Sequence, residues 1–183
     1  MLEFLFKVLL TFNSTSFILI IYLIKGNCYI LGAGDLPIWV SHIIFMVVPI
    51  VCTAFSIVLK RILSKDSIEC MIKDVKLANN EFLPSYLGYF FVGLSVPNVE
   101  TLIFVYAILF IFTFVSQTLY FNPLFLCFGY HFYYITTIDN VTHFIISKKF
   151  IRDSKNLKFS NLRRINYFSY IDAEEKKGES RNS

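Results

Sequence analysis

Four apolar stretches constrain this chain more than any other feature of its sequence. They cover about residues 2–24, 38–59, 82–97 and 99–120. At 1.5 Å per residue, three of them are long enough to cross the roughly 30 Å hydrocarbon layer of a bilayer as helices. The stretch 82–97 is short, and we expect it to form a hairpin with 99–120. The sequence therefore predicts an all-α integral membrane protein, with a four-transmembrane-helix bundle over residues 1–122.

Composition agrees with a membrane protein. Hydrophobic residues make up 56% of the chain and charged residues 16%, against roughly 45–50% and 25% in soluble domains. The rival interpretation of the first stretch, a cleaved signal peptide, lacks a small-residue cleavage site at the right distance. We expect this stretch to remain as the first span.

Basic residues indicate how the spans are oriented. With the N-terminus in the cytoplasm, only Lys25 of the 17 Lys and Arg residues falls on the outer side, as the positive-inside rule requires. A fifth span over 124–138 would carry the basic tail outside. We therefore expect 124–138 to be a re-entrant, interfacial or cytoplasm-facing segment, and its residues suit a strand as well as a helix. Both termini are predicted to be cytoplasmic.

Two polar segments lie outside the spans. Residues 60–80 place apolar side chains three or four positions apart, at Ile68, Met71, Ile72 and Val75, which predicts an amphipathic helix on the inner leaflet or on a partner. The basic segment 123–170 is predicted to be cytoplasmic or interfacial. Its interleaved apolar residues leave two alternatives open, a tail on anionic lipid or a folded docking segment. Residues 171–183 have the composition of a disordered tail.

The sequence contains few residues that indicate a catalytic or metal-binding site. His131, Asp139 and His143 are the most suggestive group, but a zinc site needs a further orienting shell, and the first histidine is far from the other two in sequence. No HExxH, GxSxG or P-loop motif occurs. We expect no catalytic residues, no metal and no cofactor.

A polar patch interrupts the first span at Asn13–Ser16. Such residues can join helices through hydrogen bonds or line a pore. The second possibility keeps an alternative function open, in which the chain is a small oligomeric channel or a holin-like membrane-permeabilising subunit.

Two runs resemble a known family. They are NEFLPSYLGYFFVGLSVPN (80–98) and FNPLFLCFGYHFYYITT (121–137), and they are similar to the KwaA family, the membrane component of the bacterial Kiwa antiphage defence system. The resemblance implies a multi-pass protein of the bacterial inner membrane that senses phage-induced membrane disturbance without enzymatic activity. It also implies a homo-oligomer, such as a tetramer, bound to a cytoplasmic DNA-binding effector similar to KwaB. Direct binding of nucleic acid by this chain is not expected.

The resemblance supplies no binding residues. By their position on the predicted cytoplasmic side, Lys73, Lys76, Arg163, Arg164 and Tyr167 are the residues that we expect to contact the effector.

Overall fold

The computed structural model describes residues 2–30, 37–68, 70–81, 83–116, 122–151 and 159–173. The end of the fourth predicted span, 117–120, and nearly all of the predicted disordered tail lie outside these residues. The described helices are α1 Leu2–Lys25, α2 Ile38–Leu59, α3 Leu83–Ser95, α4 Val99–Ser116 and α5 Leu124–Cys127, with a 3-10 turn at Lys60–Ile62. The strands are β1 Lys65–Ile68, β2 Ile72–Leu77, β3 His131–Thr137, β4 Thr142–Ser147, β5 Phe159–Arg164 and β6 Ser169–Asp172.

The six strands form one mixed sheet, so the prediction of an all-α fold is wrong. Its order is β1-β5-β6-β4-β3-β2, and every neighbouring pair is antiparallel except β4 and β6. The strands come from two separate parts of the chain, since β1 and β2 follow α2 whereas β3–β6 follow α4. The chain divides into a strand unit (Met1–Glu3, Val58–Asn80 and Phe125–Ser183) and a helical unit (Phe4–Ile57 and Glu81–Leu124).

A β-bulge explains why residues 60–80 resembled a helix. The register of β2 on β3 shifts between Ile72 and Asp74, and a bulge adds one residue to the ordinary two-residue alternation. Ile72 and Val75 therefore face the same core although they are three positions apart. Ile68, four positions earlier, reaches that core from β1. A helical spacing thus arises from two strands at opposite edges of the sheet.

The segment predicted as helix or strand, 124–138, contains both. One turn of helix, α5, ends before Gly129, whose φ of 75° lies in the left-handed region, where glycine avoids the clash of a Cβ atom. The chain then enters β3, whose side chains alternate and are largely buried. Of the apolar residues in the tail, Phe159 and Leu162 occupy buried positions of β5, whereas Tyr167 and Phe168 are exposed in the turn before β6.

One face of the sheet closes around its own core. Side chains of all six strands share one cluster, and Ile151, which follows β4, packs against it. A flat sheet of six strands would separate β1 from β2 by about 24 Å. Residues 69–71 alone connect β1 to β2, and a connection of this length spans at most about 14 Å, so the sheet is curled. The buried members of the cluster are Ile68, Tyr133, Ile135, Ile145, Phe159, Leu162 and Tyr170.

The opposite face is also apolar at its centre. The rings of Phe132 and Phe144 stack on neighbouring strands, 5.8 Å apart. Phe125 of α5 packs edge-on against Phe132 and Tyr130. Ile146 and Ile171 are fully buried beside them. With both faces holding buried residues, the strands have the composition of a soluble core rather than of a lipid-exposed element.

In the described part of the chain, three helices are long and apolar enough to cross a membrane: Glu3–Lys25, Ile38–Ile62 and Val99–Ser116. The third predicted span appears as α3, which has 13 residues and is about 20 Å long. The six-stranded sheet, rather than the length of α3, makes a four-transmembrane-helix bundle wrong as a description of the fold. The all-α bundle was predicted because the strands within residues 60–80 and after residue 130 were not recognised as parts of one sheet.

Within the helical unit, α1 is the most buried candidate span. Ile18 of α1 is fully buried and packs with Tyr89 of α3 and Leu102 of α4. Gly93 of α3 permits the close approach, because a Cβ atom there would lie 3.0 Å from the carbonyl oxygen of Ile18. The ammonium group of Lys25 donates hydrogen bonds to two carbonyl oxygens at the C-terminal end of α3, a favourable position for a cation.

Hydrogen bonds within the chain involve each residue of the Asn13–Ser16 patch, although Asn13 Oδ1 is buried without a partner among the described residues. The Asn13 side-chain amide donates to the Ser56 hydroxyl of α2 at 2.9 Å. The Thr15 hydroxyl donates to the phenol oxygen of Tyr106 in α4 at 3.3 Å. Ser14 and Ser16 donate to carbonyl oxygens of their own helix. These contacts favour helix packing over pore lining as the role of the patch.

Candidate protein-docking surface

Two hairpin turns of the strand unit lie side by side because β4 and β6 are parallel. One turn, between β3 and β4, covers residues 138–141 and includes Asn140 with φ of 59°. The other, between β5 and β6, covers residues 165–168 and is closed by the Ile165 amide donating to the Ser169 carbonyl oxygen at 2.9 Å. Since both β4 and β6 begin at this end, the turns that precede them are neighbours. The amide of Phe144 donates to the carbonyl oxygen of Phe168 at 2.7 Å and connects them.

Large apolar side chains are exposed along this end of the sheet. Tyr167 is 80% exposed and Phe168 58%. The neighbouring turn contributes Ile138 and Val141, and the Ile138 amide donates to the carbonyl oxygen of Met71, which is 76% exposed. Scattered exposed apolar residues are normal, but an adjacent set of this kind marks interaction sites. We call these five residues the apolar rim: Met71, Ile138, Val141, Tyr167 and Phe168.

Charged side chains accompany the apolar rim. Arg164 is exposed at the end of β5, and Lys65 starts β1, the next strand. Lys73 of β2 donates to the side-chain oxygen of Asn140 at 2.7 Å, which places its ammonium group beside the β3–β4 turn. Asp139 is exposed in that turn. An apolar patch with a mostly basic border is the arrangement of a protein interface, with an apolar centre and a polar edge.

His143 supports the apolar rim from behind. Its ring packs against Phe168 and Tyr170, with centroids 6.3 and 5.6 Å apart. Burial lowers the pKa of His143, although the carboxylate of Asp66 opposes this effect. The hydroxyl of Tyr170 donates to the Tyr167 carbonyl oxygen at 3.2 Å, and burial raises the pKa of Tyr170. Both groups are therefore neutral at pH 7, and they hold the β5–β6 turn in place by packing and hydrogen bonding.

The residues predicted to bind a partner share one sheet but not one site. Arg164 and Tyr167 lie at the apolar rim, and Lys73 lies at its border. Arg163 is half-buried, and its guanidinium donates to the Leu63 carbonyl oxygen at 2.8 Å, so its contact is internal. Lys76 is exposed near the other end of β2. Strands β6, β4 and β3 separate β5 from β2 in the sheet, so the pair Lys73 and Lys76 and the pair Arg163 and Arg164 lie on strands that are not neighbours.

The three residues considered for a metal are not brought together. His131 begins β3, and its Nδ1 lies 3.0 Å from the side-chain nitrogen of Asn79. His143 lies near the beginning of the antiparallel neighbour β4, at the other end of the sheet, and Asp139 lies in the turn. Within the described ranges, no three residues of metal-ligating type converge.

The sequence interpretation missed four of the five residues of the apolar rim. Met71, Ile138, Val141 and Phe168 were counted as parts of apolar patterns or not considered. Each of them lies in a turn or next to the end of a strand rather than inside a strand. Recognising them required the strand boundaries first.

A family model described as anti-phage protein KwaA matches residues 6–171, which is most of the chain. Neither curated proteins nor solved structures gave a match.

Proposed function

This chain belongs to the KwaA family of anti-phage proteins, and from that membership we propose that it is a membrane-embedded sensor and scaffold that recruits a cytoplasmic effector. The effector is a DNA-binding protein similar to KwaB. The chain itself acts as a homo-oligomer, such as a tetramer, without enzymatic activity, cofactor or direct contact with nucleic acid. Phage-induced membrane disturbance is the stimulus that its spans detect.

The presence of both apolar helices and a separate strand unit supports the assignment of sensing and recruitment to different parts of the chain. Three helices are apolar and long enough for a membrane, whereas the strand unit has a core of its own. A unit of that kind folds in water and can bind a soluble protein. The spans then detect the membrane event, and the strand unit holds the partner.

The sheet also supports a topology. The segments that form β1–β2 and β3–β6 lie on either side of α3 and α4 in sequence, yet they share one sheet. Both segments must therefore be on the same side of the membrane, and the α3–α4 hairpin must begin and end there. The N-terminal end of α1 joins them, because the Ser64 hydroxyl donates to the carboxylate of Glu3 at 2.9 Å. We propose that this side is the cytoplasm, since it holds the basic residues.

The apolar rim is the single observation that supports recruitment best. Its five residues are exposed next to one another and are bordered by Arg164, Lys65 and Lys73. Interfaces place most of their binding energy in aromatic anchors and arginine. We propose that Tyr167 and Phe168 are the anchors and that Arg164 pairs with an acidic group of the effector.

Co-purification tests this assignment. The double variant Tyr167→Ser/Phe168→Ser should lose about 2–4 kcal/mol of binding free energy, the usual cost of two anchors, and should release the effector on affinity purification from solubilised membranes. Leu77→Ser is the matched control, because Leu77 is also half-exposed but lies at the other end of the sheet. It should retain the effector.

Two outcomes would contradict the proposal. Retention of the effector by the double variant would exclude the apolar rim as its binding site. Loss of the effector by both variants, with the strand unit still folded, would show that binding is not confined to this end of the sheet.

A further inference from the structure

Strand β2 is an edge of the sheet, with β3 as its neighbour in the described part of the chain. The direction of its backbone groups follows from one hydrogen bond, the Ala78 amide donating to the Phe132 carbonyl oxygen at 2.8 Å. Alternate residues of a strand direct their N–H and C=O groups to opposite sides. Ala78 and Lys76 therefore bond toward β3, and the backbone groups of Val75 and Leu77 point away from the sheet. Such an edge can pair with another strand unless it is blunted or covered.

We propose that β2 pairs antiparallel with β2 of a second copy of this chain, with Val75 opposite Val75 of that copy. In this register Val75 exchanges two backbone hydrogen bonds with its equivalent, because its N–H and C=O groups point outward. Two-fold symmetry then repeats every contact, as in an isologous dimer. The proposal specifies where copies meet in the homo-oligomer proposed above and rests on that part of the proposed function.

Charge complementarity selects this register. Asp74 and Lys76 lie on either side of Val75 and share one face of the sheet, since they pair with Thr136 and Tyr134 of β3. Both are exposed. Pairing centred on Val75 places each Asp74 directly opposite Lys76 of the other copy, so two opposite-charge pairs form. Directly opposed pairs of this kind stabilise a sheet, and opposed like charges destabilise it.

Other registers are less favourable. A centre between Asp74 and Val75 would oppose Lys73 and Lys76, and it would require the inward-pointing backbone groups of Asp74 to bond outward. A centre at Lys73 would place the two Lys73 side chains opposite each other. Exposed lysines on an edge strand ordinarily prevent pairing, but here the aspartate between them makes one register self-complementary.

A disulfide between copies tests the register directly. Val75→Cys, in a variant whose four native cysteines are replaced by alanine, should form a disulfide-linked dimer when membranes are treated with a mild oxidant. Directly opposed, hydrogen-bonded residues have Cα atoms about 5.5 Å apart, within the range for a disulfide. Leu77→Cys is the matched control. It would oppose Lys73 of the other copy, so the two new cysteines would be about 13 Å apart along the strands.

A charge exchange tests the pairing in the same cysteine variant. Asp74→Lys alone, or Lys76→Asp alone, should lower the cross-linked fraction by about fivefold, since two pairs become repulsive. The combination Asp74→Lys/Lys76→Asp should restore it, because the opposite charges meet again across the interface.

The outcomes separate this inference from the proposed function. Cross-linking at position 75 but not at 77, with restoration by the exchange, supports the pairing. Equal cross-linking at both positions, or none at 75 in a protein that still sediments as an oligomer, would overturn it while leaving the oligomer intact. A monomer on sedimentation would overturn both.

Discussion

Gly93 has no room for a side chain where α3 approaches α1. A Cβ atom there would lie 2.9 Å from Cβ of Ile21 and 3.0 Å from the carbonyl oxygen of Ile18. We expect Gly93→Ala to lower the free energy of unfolding by about 1–3 kcal/mol, the usual cost of overpacking. Gly88→Ala in the same helix is the control, because nothing lies within 4 Å of its Cβ position. The control should be neutral or stabilising, by up to about 1 kcal/mol.

Thermal unfolding of the detergent-solubilised protein measures the difference. Equal melting temperatures for the two alanine variants would show that α3 does not pack this closely on α1.

His143 should make the strand unit sensitive to acid. Burial lowers its pKa below the ordinary value of about 6.5, so the unfolded chain takes up the proton at a higher pH than the folded one. The contribution of His143 to stability is constant above the ordinary pKa. It declines as the pH falls through that value toward the pKa of the folded state.

Hydrogen exchange of the β4 and β6 amides at pH 7.5 and 5.5, corrected for intrinsic rates, tests this dependence. The wild-type protein should lose more protection on acidification than His143→Phe, which retains a ring against Phe168. Identical losses would assign the acid sensitivity to other groups.

At the scale of elements, the accuracy of the prediction depended on the periodicity of the apolar residues and on the length of each apolar run. The boundaries of α1 and α2 were predicted closely, since unbroken apolar runs of more than 20 residues leave few alternatives. Strands β1 and β2 were predicted as a helix because the bulge at Ile72 changed the alternation, and because β1 has only four residues. Strand β3 was left as helix or strand, since aromatic and β-branched residues suit both when they are buried.

The candidate site was harder to predict than the elements. Arg164 and Tyr167 were identified because they stand in a basic segment. Ile138 and Met71 belong to the same surface only through the parallel pairing of β4 with β6 and the pairing of β2 with β3. Contacts between strands distant in sequence leave no periodic signal along the chain, so the surface could not be assembled before the sheet was known.

At the scale of the whole molecule, family membership and fold support one account. The chain belongs to an anti-phage family, and it combines apolar helices with a sheet whose strands come from two separate segments. In the proposed topology the sheet constrains the spans, since the helices between its two segments return the chain to the side from which it left. The orientation proposed above rests on the charge distribution, with Lys25 separated from the remaining basic residues.

Labelling of single cysteines on either side of the membrane tests this account most directly. Cys70, which lies between β1 and β2, and Cys127, in α5, are both exposed, and α3 and α4 separate them in sequence. In variants that retain only one of them, a membrane-impermeant maleimide should react only after the membrane is opened. A cysteine at Tyr29, exposed after α1, should react in intact spheroplasts. Reaction of Cys70 and Cys127 on opposite sides, or of either from outside, would contradict the shared cytoplasmic sheet.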